Sequence, residues 1–366
     1  MKEERIHLAL LKAERVGLQT INTLLNQFKL PSEIIKLSYK DLIQWGIAKK
    51  AAQAIVTLDI HADWIKEELE YCKKNNIAIL TSYNNNIPER LKHMSDIPNL
   101  LFYKGNANLN HPRTIAIIGT RNNTEYGKNF TNKLVAEFKE YGVDVLIISG
   151  LAAGIDTIAH KAALHNNFPT IGVLGHGLDM VFPAENKKLA QQILDQNGGL
   201  LTEYLTRILP IKSNFPQRNR IVAGLADLVL VVESQEKGGA MITAQMAFQQ
   251  NKEVAALPGN VLQPYSAGCN LIIKNDMAHL VENAKDIIQL MNWDVALTKR
   301  SLQKTLFVDL NDEQQNLLKH FDEKSSWHFD ELLHAQQCST AKLSSLLLEL
   351  EMLDVVKSLP GKYYTR

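Results

Sequence analysis

The order of apolar and polar residues divides the chain into stretches of different period. From about residue 5 to 70, apolar positions recur at helical spacing in short runs. "RIHLALLKAERVG" stops at Gly17, "LQTINTLLNQFKL" closes before Pro31, and "YKDLIQWGIAKKAAQAIVTLDIHADWIKEELEYCKKNN" continues the pattern. Between 77 and 105 the character changes: "IAIL" and "LLFYKG" are strand-like, with prolines between them, and read as a bridge into the next domain. Apolar strand-like runs follow: "RTIAIIG" (113–119), "VDVLIISG" (143–150), "PTIGVLG" (169–175), "GGLLTEY" (198–204), "LADLVLVVES" (225–234) and "KEVAALPG" (252–259). The helical stretches "GKNFTNKLVAEFKEYG", "GIDTIAHKAALHNN", "ENKKLAQQILDQNG" and "GGAMITAQMAFQQN" separate most of them. Near-continuous apolar strands alternating with helices predict a doubly wound, mostly parallel α/β sheet. At the end, "LNDEQQNLLKHF", "HFDELLHAQ" and "STAKLSSLLLELEMLDVV" read as three helices, and "VVKSLPGKYYTR" as a Pro-Gly hairpin, together a winged-helix pattern. The expected organisation is a helical domain over 1–70, the sheet domain with its lead-in over 71–290, a polar linker over 291–305 and a winged-helix domain over 306–366.

Composition changes this picture little. The chain has 366 residues, 45% hydrophobic and 22% charged, ordinary for two or three globular domains. A net charge of +1 gives no global bias toward nucleic acid, so an anion site has to be a local patch. Cys72, Cys269 and Cys338 are far apart and form no CxxC pair. They read as small buried side chains, with neither a zinc site nor a disulfide framework. The N-terminal run "MKEERIHLALLKAERVG" is charged throughout, and no window approaches 18 uninterrupted apolar residues. A cytoplasmic location, with no membrane contact, is the expectation.

Ligands of open α/β sheets sit where the carboxyl ends of the strands gather their loops. Four such ends are rich in candidate chemistry. In "IAIIGTRNNTEYGKNF", Gly119 ends the strand and Thr120 and Arg121 follow, a turn suited to phosphate. It is not G-x-G-x-x-G, so a dinucleotide cofactor is disfavoured. In "IISGLAAGIDTIAH", Ser149 and Gly150 end the strand and Gly154 opens a helix, leaving free amides toward the sheet edge. Asp156 and His160 share a helix face there, as an acid/base pair or as internal hydrogen-bonding groups that hold adjacent loops. In "LGHGLDMVFPAENKKL", Gly175 and Gly177 permit close backbone approach, and Asp179 and Asn186 are placed to fix the loop. In "QEKGGAMITAQMAF", Lys237, Gly238 and Gly239 precede a helix carrying Thr243. No G-x-x-x-x-G-K-[ST] occurs anywhere, which excludes a P-loop ATPase.

The segment "KSNFPQRNRIVAGLADLVLVVES" joins these ends. From Tyr204 to Ala226 there are four basic residues, Arg207, Lys212, Arg218 and Arg220, and no acidic one. On a loop, Arg218 and Arg220 beside Asn219 can engage phosphates with planar geometry, and Phe215 offers a face for a base. Several phosphate cradles along one sheet edge suit a polymer of phosphates better than one nucleotide. The alternative is that the arginines pair with core carboxylates such as Glu203 or Glu233, and that Phe215 is core.

Together "AIIGTR", "SGLAAGIDTIAH", "VLGHGLDMVFPAENKKL", "FPQRNRIVAGLAD", "ITAQMAF", "ALPGN" and "GCNLI" resemble the DprA/Smf family, the DNA-processing proteins of bacterial transformation. The resemblance runs from about residue 5 to the end. It implies an extended Rossmann-like domain that binds single-stranded DNA, loading of the RecA recombinase onto that DNA, and a homodimer formed through the Rossmann-like core. It places phosphate and base contacts at Gly119–Arg121, Ser149–Gly150, Lys212, Phe215 and the Arg218/Arg220 pair. The N-terminal helices read as SAM- or helix-hairpin-helix-like, because "RVGLQ" (15–19) and "WGIAKKAAQ" (45–53) look like hairpin turns; a plain helical cap domain with no DNA contact is the alternative. The chain departs from the family pattern at Thr120, where serine is usual, and at Ala153, where arginine is common. "GGAMITA" also lacks the usual hydroxyls, and "KNDMAHLV" lacks the usual Gly-Ala. Two other readings compete with the non-enzymatic one. A nucleotide-cleaving enzyme of lysine-decarboxylase-like fold would need a glutamate that "GGAMITAQ" lacks. A winged-helix regulator of duplex DNA is disfavoured by ten acidic against six basic residues over 306–366.

Overall fold

A computed structural model describes residues 2–293, 311–324, 326–353, 355–359 and 361–365, in two compact units, Met1–Thr298 and Lys299–Arg366. The linker expected over 291–305 lies, from residue 294 on, outside the described residues.

The first unit opens with helices α1 (Lys2–Lys12), α2 (Leu18–Phe28), α3 (Pro31–Ile34), α4 (Tyr39–Gln44), α5 (Lys49–Val56) and α6 (Asp63–Lys74). Their apolar faces meet in a core of Ile6, Leu10, Ile21, Leu24, Leu42 and Ile55. Gly46, at φ +77°, makes the turn between α4 and α5. Leu8, Ile65 and Cys72 face the other way, against Ile77, Leu100 and Phe102 of the sheet. The buried Glu68 carboxylate of α6 accepts from the Thr206 N–H at 3.0 Å and from its hydroxyl.

The sheet follows: β1 (Ile77–Thr81), β2 (Leu100–Gly105), β3 (Thr114–Ile118), α7 (Glu125–Glu140), β4 (Leu146–Ser149), α8 (Ile155–His165), β5 (Thr170–Val173), α9 (Lys187–Asp195), β6 (Gly199–Thr202), α10 (Asn214–Leu225), β7 (Leu228–Val231), α11 (Gly239–Gln249), β8 (Glu253–Ala256), α12 (Pro264–Lys274), β9 (His279–Leu280) and α13 (Ala284–Leu290). Its nine strands run in the order β1-β2-β6-β5-β4-β3-β7-β8-β9. All neighbours from β6 to β9 are parallel, while the β1–β2 and β2–β6 pairs are antiparallel. Period-2 alternation explains why the strand sequences are apolar throughout. Ala116, Ile118, Val229 and Val231 face α10, α11 and α12, while Ile115, Ile117, Leu228 and Leu230 face α7, α8 and α13.

This is the expected doubly wound, extended Rossmann-like sheet. Three features differ from the sequence reading. The "bridge" over 77–105 is the antiparallel edge of the same sheet. The elements α12, β9 and α13 were not anticipated. The basic segment 214–225 is a helix and not a loop. Nearly all of α10 from Arg218 onward is buried, so its arginines occupy positions that an apolar period reserves for core residues.

Strand order reverses at β3: the chain builds outward through β4, β5 and β6, then returns to place β7 on β3's other side. The crevice outside the carboxyl ends of β3 and β7 is therefore the topological switch point, where such sheets take ligands.

The second unit contains α14 (Asp312–Glu323), β10 (Ser326–His328), α15 (Phe329–Gln336), α16 (Thr340–Met352), β11 (Lys357–Leu359) and β12 (Tyr363–Thr365), the strands ordered β10-β12-β11. Leu317, Phe321, Leu332, Leu343, Leu347 and Leu350 form its core. The winged helix is as expected, with β10 as an additional strand. Among the described residues no helix is long and apolar enough to cross a membrane.

Candidate nucleic-acid interface

At the switch point lies a cleft of about 510 Å³. The loops after β3, β4 and β7 and the start of α10 line it. Of the residues singled out above, Gly119, Thr120, Arg121, Gly150, Asp156, Lys212, Phe215, Arg218, Asn219, Gly238, Gly239 and Thr243 are in the lining.

Glycine at two of these positions is required by contact. A Cβ on Gly119 would lie 2.6 Å from the Ile155 side chain, where α8 begins. A Cβ on Gly154, at φ +79°, would lie 2.2 Å from the Thr120 carbonyl. The α8 start is thus pressed against the 119–121 loop, and Ile155 N–H donates to that carbonyl at 3.2 Å. Glu233, at the end of β7, fixes the same loop from the other side. Its carbonyl accepts from Thr120 N–H at 2.7 Å, and its carboxylate accepts from the N–H and hydroxyl of Thr124, the cap of α7. The Thr120 hydroxyl accepts from Asn122 N–H at 3.2 Å. Beyond this rigid turn Arg121 is exposed, and its guanidinium lies 5.6 Å from the Phe215 ring centroid. Across the cleft Lys212 is exposed, just before α10, and Phe215 is half-buried against Gly175. The Gly238–Gly239 turn begins α11 without a side-chain cap, so its first amides are available to an anion.

Arg218 is 4% exposed. Its Nη1 donates to the Gly150 carbonyl at 2.6 Å and to the Val173 carbonyl, tying together the carboxyl ends of β4 and β5. Its Nε is buried without a protein partner. Burial lowers its pKa to about 10, so it stays charged at neutral pH. Asp156 accepts from the amides of Gly150 (3.0 Å) and Ala152 (3.4 Å), and burial pushes its carboxyl up while Arg218 opposes that shift. His160 donates from Nδ1 to the Thr170 hydroxyl at 2.7 Å, which itself donates to the Ile147 carbonyl. Burial lowers His160 to about 3, so it is neutral. Asp156 and His160 therefore hydrogen-bond within the fold.

Several expectations need correction. Ser149 is fully buried and its hydroxyl donates to the Ile117 carbonyl at 2.7 Å, so it ties β4 to β3 and does not face the cleft. Arg220, 8% exposed, is ion-paired with Glu203 and donates to the Asp96 carbonyl at 2.6 Å, outside the lining. The core-carboxylate alternative holds for this arginine. Lys237 is exposed but also outside the lining. Thr243 lines the cleft from a buried position. Asp179 and Asn186 do fix their loop, through Arg207 N–H and through the carbonyls of Leu151 and Ala152. The sequence reading missed Asn122, Gln235 and Tyr265, which also line the cleft and carry no local signature.

The lining thus carries three cations, Arg121, Lys212 and Arg218, and one carboxylate, Asp156, whose Oδ2 accepts from two backbone amides. With uncapped amides and a half-exposed aromatic ring, it can hold phosphates and stack a base.

Comparison with known proteins places the chain in a family. The family described as DNA recombination-mediator protein A matches residues 78–292, and the DprA winged helix domain matches residues 307–362. Protein Smf of Escherichia coli is 30% identical over 339 residues, covering 90% of this chain and 88% of that protein. The DNA processing protein DprA of Bacillus subtilis is 35% identical, covering 77% and 95%. Among solved structures, DNA processing protein A of Streptococcus pneumoniae aligns with TM-score 0.69 and 31% identity, covering 79% of this chain and 98% of that one. A structure described as showing the single-stranded DNA binding mode of DNA processing protein A from Helicobacter pylori aligns with TM-score 0.53 and 33% identity, covering 59% and 95%. The chain belongs to the DNA recombination-mediator protein A family, the DprA/Smf proteins.

Proposed function

We propose that this chain binds single-stranded DNA in the switch-point cleft and loads the RecA recombinase onto it during DNA uptake and recombination. Membership of a family of DNA-processing proteins sets the class of activity. The observation that carries the finer reading is the pairing of two exposed cations, Arg121 and Lys212, around Phe215 beside the uncapped α11 start. Neither cation is held in an ion pair among the described residues. A duplex hides its base faces, so a ring between phosphate contacts favours an unpaired strand. The related Helicobacter pylori protein, described as binding single-stranded DNA, supports the same choice.

The direct test is a competition titration by fluorescence anisotropy, with labelled single strands displaced by unlabelled single strand or blunt duplex. Single strands should compete at much lower concentration, without regard to sequence. Equal competition by duplex would overturn the reading. The RecA step is tested separately, by whether the protein speeds RecA filament formation on single strands already covered by another binding protein.

The same reading includes three further expectations. The protein works as a homodimer in the cytoplasm, and it does not cleave nucleotides. Val261 (84% exposed) and Leu262 (86%), with Phe248, supply apolar surface that a second copy would cover. Leu262→Asp should convert the dimer to monomer in sedimentation velocity. Nucleoside monophosphates should remain intact on prolonged incubation with the protein.

A further inference from the structure

We infer that Phe182 is a second stacking platform, on which the strand lays the base next to the one held by Phe215; this rests on the single-strand reading above. Phe182 lies in the loop after β5 and is 42% exposed. Its loop neighbours Leu178 and Val181 instead pack into a small core with Leu174, Leu189 and Ile193. The Phe182 ring sits 5.8 Å from the Phe215 ring, tilted by 35°. Two rings so placed form one continuous apolar surface that leaves the cleft, and every base offers a face to such a surface whatever its sequence.

The loop is built to hold the ring still. The buried His176 accepts the Phe182 N–H at Nε2 (3.2 Å) and donates from Nδ1 to the Gly177 carbonyl (2.9 Å). Asp179 accepts from Arg207 N–H at 3.1 Å. A ring carried on a fixed backbone and leaning on Phe215 has less freedom to lose when a base arrives, so more of the stacking is retained as affinity. The charge of the following segment suits a phosphate chain: Lys187 and Lys188 are exposed at the start of α9, against the single acid Glu185.

The test uses the full chain and oligothymidylates lengthened one nucleotide at a time, with wild type, Phe182→Leu and Phe215→Leu. Leucine keeps an apolar contact while removing the aromatic face. Phe182→Leu should bind the shortest recognised oligonucleotide as wild type does. It should lose about 5-fold or more in affinity on lengths that reach both rings. Phe215→Leu should lose affinity at every length. In a Phe182→Trp variant, the added tryptophan emission should be quenched only by the longer oligonucleotides. Phe182→Leu equal to wild type at all lengths would overturn the second platform. A uniform loss like that of Phe215→Leu would also overturn it, since Phe182 would then only support its neighbour. If wild type binds no single strand, the reading beneath it fails instead.

Discussion

Arg121 and Arg218 are both cations of the cleft, yet replacing them should have different consequences for folding. The Arg218 guanidinium serves the Gly150 and Val173 carbonyls at the ends of adjacent strands. Arg218→Ala leaves both acceptors without a partner in a buried place, and each orphaned group costs about 1–3 kcal/mol. Loss of the buried side chain adds to this. Relief from desolvating the guanidinium, the cause of its lowered pKa, subtracts. Water entering from the cleft moderates the sum, so about 2–4 kcal/mol is expected. For a folded unit this large, roughly 2 °C of melting temperature accompanies each kcal/mol, giving a fall of about 4–8 °C. Arg121 is exposed, with its guanidinium beside the Phe215 ring, so Arg121→Ala should stay within about 0.5 kcal/mol of wild type. It should instead weaken single-strand binding and flatten the plot of log affinity against log salt by about 0.7. Differential scanning calorimetry and anisotropy titrations on the same preparations measure both quantities. An Arg218→Ala protein melting within 1 °C of wild type would refute the strand-tying role.

Other consequences follow from buried charge. Glu203→Gln removes the more buried of two Arg220 ion pairs, Asp96 remaining at 3.5 Å, and should cost about 1–3 kcal/mol in urea unfolding, with no change in the salt slope of DNA binding. His160 has its pKa lowered by burial to about 3, well below the unfolded value of 6.5, so the unfolded chain binds the extra proton in acid. The stability His160 contributes is complete above pH 6.5 and declines as pH falls toward 3. His160→Gln should therefore flatten the decline between pH 6 and 4.5 by about 1.4 kcal/mol per pH unit. The winged-helix unit is acidic on balance, so deleting residues 306–366 should change single-strand affinity by less than about tenfold in a gel-shift titration.

The strands were legible because a sheet covered on both faces demands unbroken apolar runs, and no other element of similar length does so. The glycines of the cleft were legible for a related reason: a glycine closing an apolar run marks a place where backbones meet, as at Gly119. The fate of the arginines was not. Arg218 reaches a carbonyl 68 positions away and Arg220 a carboxylate 17 away, and local pattern carries no such distances. Their positive charge also concealed α10, since arginine at core-facing positions breaks the period by which a helix is recognised. Ser149 looked like a phosphate ligand because a strand-end hydroxyl is the same in sequence whether it faces solvent or the next strand. Phe182 carried no signal before its ring was found against Phe215.

The central claim is that an unpaired strand occupies the cleft between β3 and β7. Hydrogen exchange of the full chain with and without a long oligothymidylate locates it most directly. Slowed exchange is predicted at Gly119–Thr124, Leu151–Gly154 and Gly238–Met241, with the winged-helix amides unchanged. Protection confined to the winged helix or to the N-terminal helices, with the cleft amides exchanging as in the free protein, would contradict the account.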